Sequence, residues 1–271
     1  MWRFYFLFNK ILNTGLNGEE EKMKIDSDFL SPRLSNRYDH SSIERGCLDS
    51  ALPKSLLIHV RHVNQLHSWD CGLACVVMAL NTVGITDCCL EDLIALCNTT
   101  SIWTVDLAFI LLKFSVKFSY FTVTLGANPN YLGEKFYNDQ LPADLVRVDR
   151  LFQNAVSEGI DIQCRSVSQK ELSLKILSGN FIAIVLIDLY KLSHSWLEEH
   201  IISGFESNIK GYTGHYIIIC GYDGITDEFE IKDPASSRKR NRIASKCLEE
   251  ARKSFGTDED LILIDLGKSM N

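Results

Sequence analysis

The chain has 271 residues, of which 46% are hydrophobic and 23% are charged, as is typical of a soluble globular protein with one large domain or two small ones. Its formal net charge is −7, which argues against a broad binding surface for DNA, RNA or anionic lipid, because Lys and Arg bind phosphate groups. The basic run at 237–242 is interpreted as a solvated loop. We therefore expect no nucleic-acid partner.

The N-terminal region differs in character from the rest of the chain. Residues 1–12, "MWRFYFLFNKIL", are apolar but shorter than the roughly 20 residues that a spanning helix needs, so no transmembrane segment is predicted. No signal-peptide cleavage pattern follows them. They are expected to dock on the domain as a helix or to contact a membrane surface peripherally. Residues 13–55 are polar, so we assign 1–55 to this segment with its flexible lead-in and 56–271 to a single domain.

The nine cysteines favour a reduced compartment. Their spacing shows neither paired C-x-x-C units nor the disulfide framework of a short secreted protein. Free thiols in the cytoplasm or nucleus are therefore predicted. Cys71 and Cys75 lie four residues apart with no matching second pair, which argues against structural zinc.

Hydrophobic periodicity predicts a mainly helical first half. Gly84 is expected to end the first helix, and Thr104 is expected to cap the third. The predicted elements are, in chain order, an extended segment at 56–65, helices at 71–83, 89–98 and 104–114, and a strand at 116–125.

The second half alternates and then ends in a hairpin. A short connection through Gly224 and Ile225 is typical of antiparallel pairing. The predicted elements are a helix at 143–159, a strand at 160–167, a helix at 168–179, strands at 180–188, 215–223 and 227–234, a helix at 242–256 and a strand at 260–266. Because helices come mostly first and the antiparallel hairpin comes late, the fold class is predicted to be α+β.

Cys71 is a candidate nucleophile. It lies where an extended segment changes to a helix, and the positive end of the helix dipole favours a thiolate there. Gly72 is expected to let substrate approach the backbone. The amide of Gln65 can donate to the same oxyanion as the Cys71 backbone N–H. His215 begins one hairpin strand and Asp233 ends the other, so the carboxylate is predicted to accept from the imidazole and fix its tautomer.

Three sequence blocks carry a first resemblance. "QLHSWDCGLAC" at 65–75, "GHYIIICGYD" at 214–223 and "KDPA" at 232–235 resemble papain-like peptidases of the bacteriocin-processing type. The resemblance implies a papain-like fold, with N-terminal helices packed on a C-terminal antiparallel sheet. It also implies a thiol hydrolase that needs no cofactor and acts on a peptide-like substrate. A non-catalytic binding module on the same fold is the other interpretation.

A second resemblance extends along most of the chain. The segments that carry it include "MWRFYFLFNKIL", "HSWDCGLACVVMAL", "SIWTVDLAFILLKF", "FTVTLGANPNY", "YTGHYIIICGYD" and "FEIKDPASS". They resemble the small plant guanylyl cyclase family. This resemblance implies a soluble enzyme that converts GTP to cyclic GMP and diphosphate with Mg²⁺ or Mn²⁺.

The local signals for nucleotide chemistry are short. "KFSV" at 113–116 loosely matches the pattern proposed for plant cyclase centres, which makes Lys113 and Ser115 nucleotide-binding candidates, although the pattern favours Cys, Thr, Gly or His at the position of Ser115. There is no G-x-x-x-x-G-K-[ST] loop. "TDED" at 257–260 is a metal-binding candidate or a polar turn. Two reactions therefore remain open, namely GTP cyclisation by family resemblance and thiol hydrolysis by site chemistry.

Overall fold

An eight-stranded sheet forms the centre of the fold. The computed structural model describes residues 52–138, 140–192, 212–236 and 241–267. The strands are β1 (Ser55–Leu57), β2 (Phe118–Thr122), β3 (Ile162–Cys164), β4 (Phe181–Asp188), β5 (Gly214–Asp223), β6 (Glu228–Lys232), β7 (Asn241–Ala244) and β8 (Leu261–Asp265). The helices are α1 (Cys71–Thr82), α2 (Leu90–Leu96), α3 (Thr104–Lys113), α4 (Lys135–Asn138), α5 (Leu141–Ser157), α6 (Gln169–Leu177) and α7 (Ser245–Arg252).

The strands pair almost entirely antiparallel. Their order is β3-β2-β8-β4-β5-β6-β7, and β1 adds to β5 beside this path. Only the β2–β3 pair is parallel within the described residues. The predicted hairpin is formed by β5 and β6, in which Ile219 lies opposite Ile231. The α+β class and the late antiparallel hairpin are therefore confirmed.

Helices cover both faces of the sheet. Successive side chains of a strand point to opposite faces. In β4, Ile182 and Ile184 join a hydrophobic cluster with residues of α1, α2, α3 and α5. Ala183 and Val185 join a second cluster with residues of α6 and α7. The N-terminal helices pack on the sheet as predicted, and two later helices cover its other face.

Two local expectations were wrong. Thr104 was expected to cap α3, but Trp103 is the N-cap residue, and its backbone N–H donates to the Asp106 carboxylate at 2.9 Å. The Thr104 hydroxyl bonds to the Tyr216 hydroxyl at 2.8 Å instead. The segment at 242–256 was expected to be helical throughout, but Asn241–Ala244 forms β7 beside β6 before α7 begins.

The predicted N-terminal helix at 1–12 and most of the lead-in lie outside the described residues, as does most of the basic run at 237–242. Arg242 is described and forms ion pairs with Glu228 and Glu230. No helix in the described ranges is long and apolar enough to cross a bilayer.

Arg147 links α5 to α3 and to the loop before α3. Its guanidinium donates to Asp106 of α3 at 2.6 Å and to Asp144 at 3.1 Å. It also donates to the backbone carbonyl of Ser101 at 2.9 Å. Burial raises the pKa of the Asp106 carboxyl despite the nearby arginine. Each carboxylate therefore depends on the guanidinium for compensation of its charge.

Replacing Arg147 by Met is expected to lower the free energy of unfolding by roughly 2 to 4 kcal/mol, because two carboxylates with little solvent access lose their partner. Urea denaturation measures this change. Arg165→Met is the matched control, since its ion pair with Glu171 is largely exposed and a loss below about 1 kcal/mol is expected there. Equal losses in both variants would contradict the assigned role of Arg147.

Candidate active site

Cys71 is the first residue of α1 and is buried with about 6% of its surface exposed. The preceding turn is held by Asp70, whose carboxylate accepts the backbone N–H groups of Leu66 and His67. The His67 ring also lies 2.9 Å from this carboxylate. Asp70 is fully buried and was not identified from the sequence. It fixes the entry into α1 and thus the position of the Cys71 thiol.

Gly72 has a packing role. A Cβ at this position would lie 3.0 Å from side-chain atoms of both Leu107 and Tyr216. Glycine therefore lets α1 pack closely against α3 and β5. The expected approach of substrate to the backbone of Gly72 was wrong, because protein side chains occupy that space.

His215 lies near the start of β5 and is buried. Its Nε2 is 2.7 Å from Oδ1 of Asp233, and the ring also interacts with the side chain of Cys71. Since Nε2 faces the carboxylate, Nδ1 is the ring nitrogen left for the thiol. Burial disfavours a charged ring, but the interactions with Asp233 and Cys71 outweigh it and raise the pKa of His215 to about 9. The imidazole is therefore protonated at neutral pH.

Asp233 follows the last residue of β6 and is also buried. Its Oδ1 accepts the backbone N–H of Ala235 at 2.8 Å in addition to the His215 ring. Burial opposes the charged carboxylate, yet these hydrogen bonds and the charge of His215 lower the pKa of Asp233. Asp233 thus stays ionised and orients the imidazole. The structure brings Cys71, His215 and Asp233 together.

Gln65 lies beside this group. Its backbone N–H donates to the carbonyl of Pro234 at 3.0 Å, which joins the loop before α1 to the loop after β6. Its side-chain Nε2 donates to the carbonyl of His67 at 2.8 Å, while Oε1 is buried without a hydrogen-bond partner among the described residues. The role of Gln65 as an oxyanion donor remains a prediction, and it requires the amide to turn away from His67.

A cavity of about 400 Å³ opens beside Cys71. It is lined by Ser68, Trp69, Cys71, Thr100, Ser101, Ile102, Trp103, Phe136, Tyr137, Gln140, Asp144, Leu186, Thr213, Gly214, Tyr216, Asp258 and Asp260. Five of these 17 residues are aromatic and three are acidic. Asp144 was not predicted as a site residue from the sequence. Asp258 and Asp260 belong to the acidic run before β8, which the sequence left as a metal candidate or a polar turn.

The aspartates are held in different ways. Asp144 is paired with Arg147 and accepts the indole N–H of Trp103 at 3.0 Å. Asp258 accepts the Tyr131 hydroxyl at 2.6 Å, and Asp260 accepts the Tyr120 hydroxyl at 3.1 Å. Burial and the negative charge of Asp258 raise the pKa of Asp260 to about 8. Asp260 is therefore protonated at neutral pH.

Lys113 and Ser115 lie at the end of α3 and do not line this cavity. Partial burial lowers the pKa of Lys113. Ser115 has a φ of 56°, a left-handed conformation that follows the end of the helix. The two nucleotide-binding candidates are thus separate from the residues grouped around Cys71.

The donor set for Mg²⁺ or Mn²⁺ does not fit a preformed site. Divalent cations of this kind need several ionised oxygen ligands. In the described ranges, no group of three or more His, Cys, Asp or Glu side chains could hold a metal ion. Asp258 and Asp260 already accept tyrosine hydroxyls, and Asp260 retains a proton at neutral pH. These residues are better described as two carboxyl groups that each accept a hydrogen bond from a tyrosine.

A family model described as "Guanylylate cyclase" matches residues 60–264. The chain belongs to the plant guanylyl cyclase family. A relative named "Guanylyl cyclase 1" from Arabidopsis thaliana is 56% identical to it over 100% of this chain and 98% of that protein. The match to the family model includes Cys71, His215 and Asp233 as well as Lys113 and Ser115.

Solved structures similar to this member of the guanylyl cyclase family include one described as a "putative C39-like peptidase" and one described as a cysteine protease. A C39-like peptidase from Bacillus anthracis has a TM-score of 0.46 at 13% identity, covering 80% of this chain and 99% of that one. Xylellain, a cysteine protease from Xylella fastidiosa, has a TM-score of 0.43 at 15% identity, covering 87% of this chain and 94% of that one.

Proposed function

We propose that this family member is a cysteine-dependent hydrolase that acts on a peptide, isopeptide or other acyl substrate. The observation that carries the proposal is the chain of contacts from Cys71 to His215 to Asp233. A protonated imidazole beside the sulfur stabilises a thiolate, and a thiolate is the reactive form of cysteine. The three side chains are buried, and His215 is hydrogen-bonded to Asp233, so the orientation of the imidazole is fixed before substrate binds.

The proposed reaction proceeds in two steps. The Cys71 sulfur attacks the carbonyl carbon and forms a tetrahedral intermediate, with the negative charge on the former carbonyl oxygen. His215 donates its proton to the leaving group as the carbon–heteroatom bond breaks, which leaves an acyl thioester on Cys71. His215 then takes a proton from water, whose oxygen attacks the thioester, and the acid and the thiolate are released. The backbone N–H of Cys71 and the amide of Gln65 are the proposed oxyanion donors.

This function requires no cofactor and needs a compartment that keeps thiols reduced. The eight cysteines among the described residues are all free. The cytoplasm or nucleus therefore remains the expected location.

Conversion of GTP to cyclic GMP is the second candidate, and the similarity to a relative named "Guanylyl cyclase 1" favours it. In that reaction the 3′ hydroxyl oxygen attacks the α-phosphorus and diphosphate leaves. Stabilising the triphosphate needs cationic groups or a metal ion. Among the described residues, the lining of the cavity beside Cys71 includes no Lys, Arg or His. Lys113 would have to act at another site.

A peptidyl electrophile with a neutral norleucine side chain tests the first candidate. We expect it to modify buried Cys71 before exposed Cys89 and Cys164. Solvent accessibility alone predicts the reverse order of modification. A hydrogen bond to Asp92 raises the pKa of the Cys89 thiol. Intact-mass measurement with peptide mapping identifies the modified residue, and Cys71→Ala is expected to abolish the rapid phase. Preferential modification of Cys89 or Cys164 would contradict the proposal.

The same wild-type and Cys71→Ala proteins also test the second candidate function, conversion of GTP to cyclic GMP. Each is incubated with GTP and Mg²⁺ or Mn²⁺, and cyclic GMP is identified by mass spectrometry. Cyclic GMP at equal rates from the wild type and Cys71→Ala would show a cyclase that does not use this thiol. Loss of the product in Lys113→Ala would assign the cyclase site to the end of α3, away from Cys71.

A further inference from the structure

The cavity beside Cys71 combines aromatic walls with carboxyl groups. Trp103 and Tyr137 have ring centroids 5.4 Å apart, and Phe136 packs edge-on against Tyr137 at 5.0 Å. Phe136 remains about half exposed, so part of this aromatic surface faces solvent. Flat aromatic surfaces pack well against the methylene stem of a long side chain and attract cations through their ring faces.

Asp258 and Asp260 provide acidic groups within the same cavity. The described residues that line the cavity with them include no Lys, Arg or His. Asp144 differs, because Arg147 already compensates its charge. The pair can therefore accept a cation supplied by a ligand, and a positive charge nearby would favour ionisation of Asp260.

The chemistry of the cavity also selects against anions. A carboxylate or phosphate placed in it would face Asp258 and Asp260, and the described lining residues include no cationic side chain to offset a further negative charge. A neutral side chain would gain the aromatic contacts alone. A cationic side chain would gain both the aromatic contacts and hydrogen bonds to carboxyl oxygens.

We propose that this cavity is the side-chain subsite of the Cys71 site and that it accepts a long cationic side chain of the lysine or arginine type. The inference rests on the proposed hydrolase function and specifies its substrate class. Asp258 and Asp260 determine specificity by accepting hydrogen bonds from the cationic group. Trp103, Phe136 and Tyr137 pack against the stem of the substrate side chain.

Three peptidyl electrophiles that differ only in the side chain next to the reactive carbon test this subsite. The side chains are lysine, norleucine and glutamate. For the wild type, the second-order rate of Cys71 modification is expected to be about 10 to 100 times higher for lysine than for norleucine, the range for a hydrogen bond to a charged group. The glutamate probe is expected to be slowest. Equal rates for lysine and norleucine would overturn the subsite.

Asp258→Asn and Asp260→Asn are expected to bring the lysine-to-norleucine ratio toward one. Asp161→Asn is the matched control at an exposed carboxylate, and it should retain the full ratio. Retention of the wild-type ratio in both cavity variants would overturn the assignment. Failure of all three probes to modify Cys71 would instead overturn the hydrolase proposal and the subsite with it. The lysine-to-norleucine ratio of the wild type tests the proposed subsite even if a cavity variant does not fold.

Discussion

Replacing His215 by Gln is expected to lower the rate of Cys71 modification by the norleucine probe by about 10²- to 10⁴-fold. The wild-type ring supplies a positive charge beside the sulfur, because its pKa is raised to about 9. Glutamine keeps a side chain of similar length but carries no charge and transfers no proton. The second-order rate constant at pH 7, measured by intact mass, reports the loss.

The control for this variant is His59→Gln, since His59 is an exposed histidine on the segment that leads to Cys71. Circular dichroism and thermal unfolding establish that both variants are folded. A folded His215→Gln protein that reacts at the wild-type rate would show that the imidazole does not activate the thiol.

Replacing Asp233 by Asn is expected to lower the same rate by about 100-fold. Asparagine can still accept a hydrogen bond from His215 through its carbonyl oxygen, but it removes the negative charge that favours the protonated ring. Without that negative charge, less remains to offset the burial that disfavours the charged imidazole. The pKa of His215 is therefore expected to fall below about 9. Asp233 acts through His215 and is therefore a positioning residue.

A shift in the pKa of His215 distinguishes positioning from a purely structural role, because a general loss of stability would not change the pKa of one ring in a folded protein. Asp227→Asn is the matched control. Asp227 lies in the turn at the opposite end of the β5–β6 hairpin, with a φ of 54°, a conformation that asparagine tolerates well. An unchanged titration of His215 in Asp233→Asn, together with a wild-type reaction rate, would contradict the assigned interaction.

The residues around Cys71 could be predicted because each has a local signature. An extended segment before a run with helical spacing indicated the N-terminal position of Cys71. The hairpin between β5 and β6 indicated that His215 and Asp233 would be close, since antiparallel strands joined by a short turn bring their outer ends together. The helix-first order of elements indicated the α+β class. These inferences needed only periodicity, turn chemistry and the geometry of one hairpin.

The cavity could not be predicted in the same way. Its walls come from the loop before α3, from α4, from α5 and from the turn before β8, which are far apart in the sequence. Asp144 appears in the sequence as an ordinary helical residue, and its burial follows from its contacts with Trp103 and Arg147. The four-residue strand β7 was missed because it is too short for alternation to be distinguished from the start of a helix.

Membership of the guanylyl cyclase family and the geometry of the Cys71 site favour different reactions. The family relationship covers almost the whole chain, whereas the site is built from a few residues. The cavity beside Cys71 is acidic and aromatic, and its described lining residues include no cationic side chain for a triphosphate. The site therefore supports attack by a thiol on an acyl group more directly than phosphoryl chemistry.

The central claim is that Cys71 and His215 form one coupled acid–base pair. Titration of the His215 ring by NMR, with ¹³C-labelled histidine and His215→Gln for assignment, tests this claim most directly. The account predicts a midpoint near pH 9 in the wild type and a lower midpoint in Cys71→Ala, because Cys71 contributes to the raised pKa of the ring. A midpoint near the ordinary value of 6.5 in the wild type, unchanged by Cys71→Ala, would contradict it.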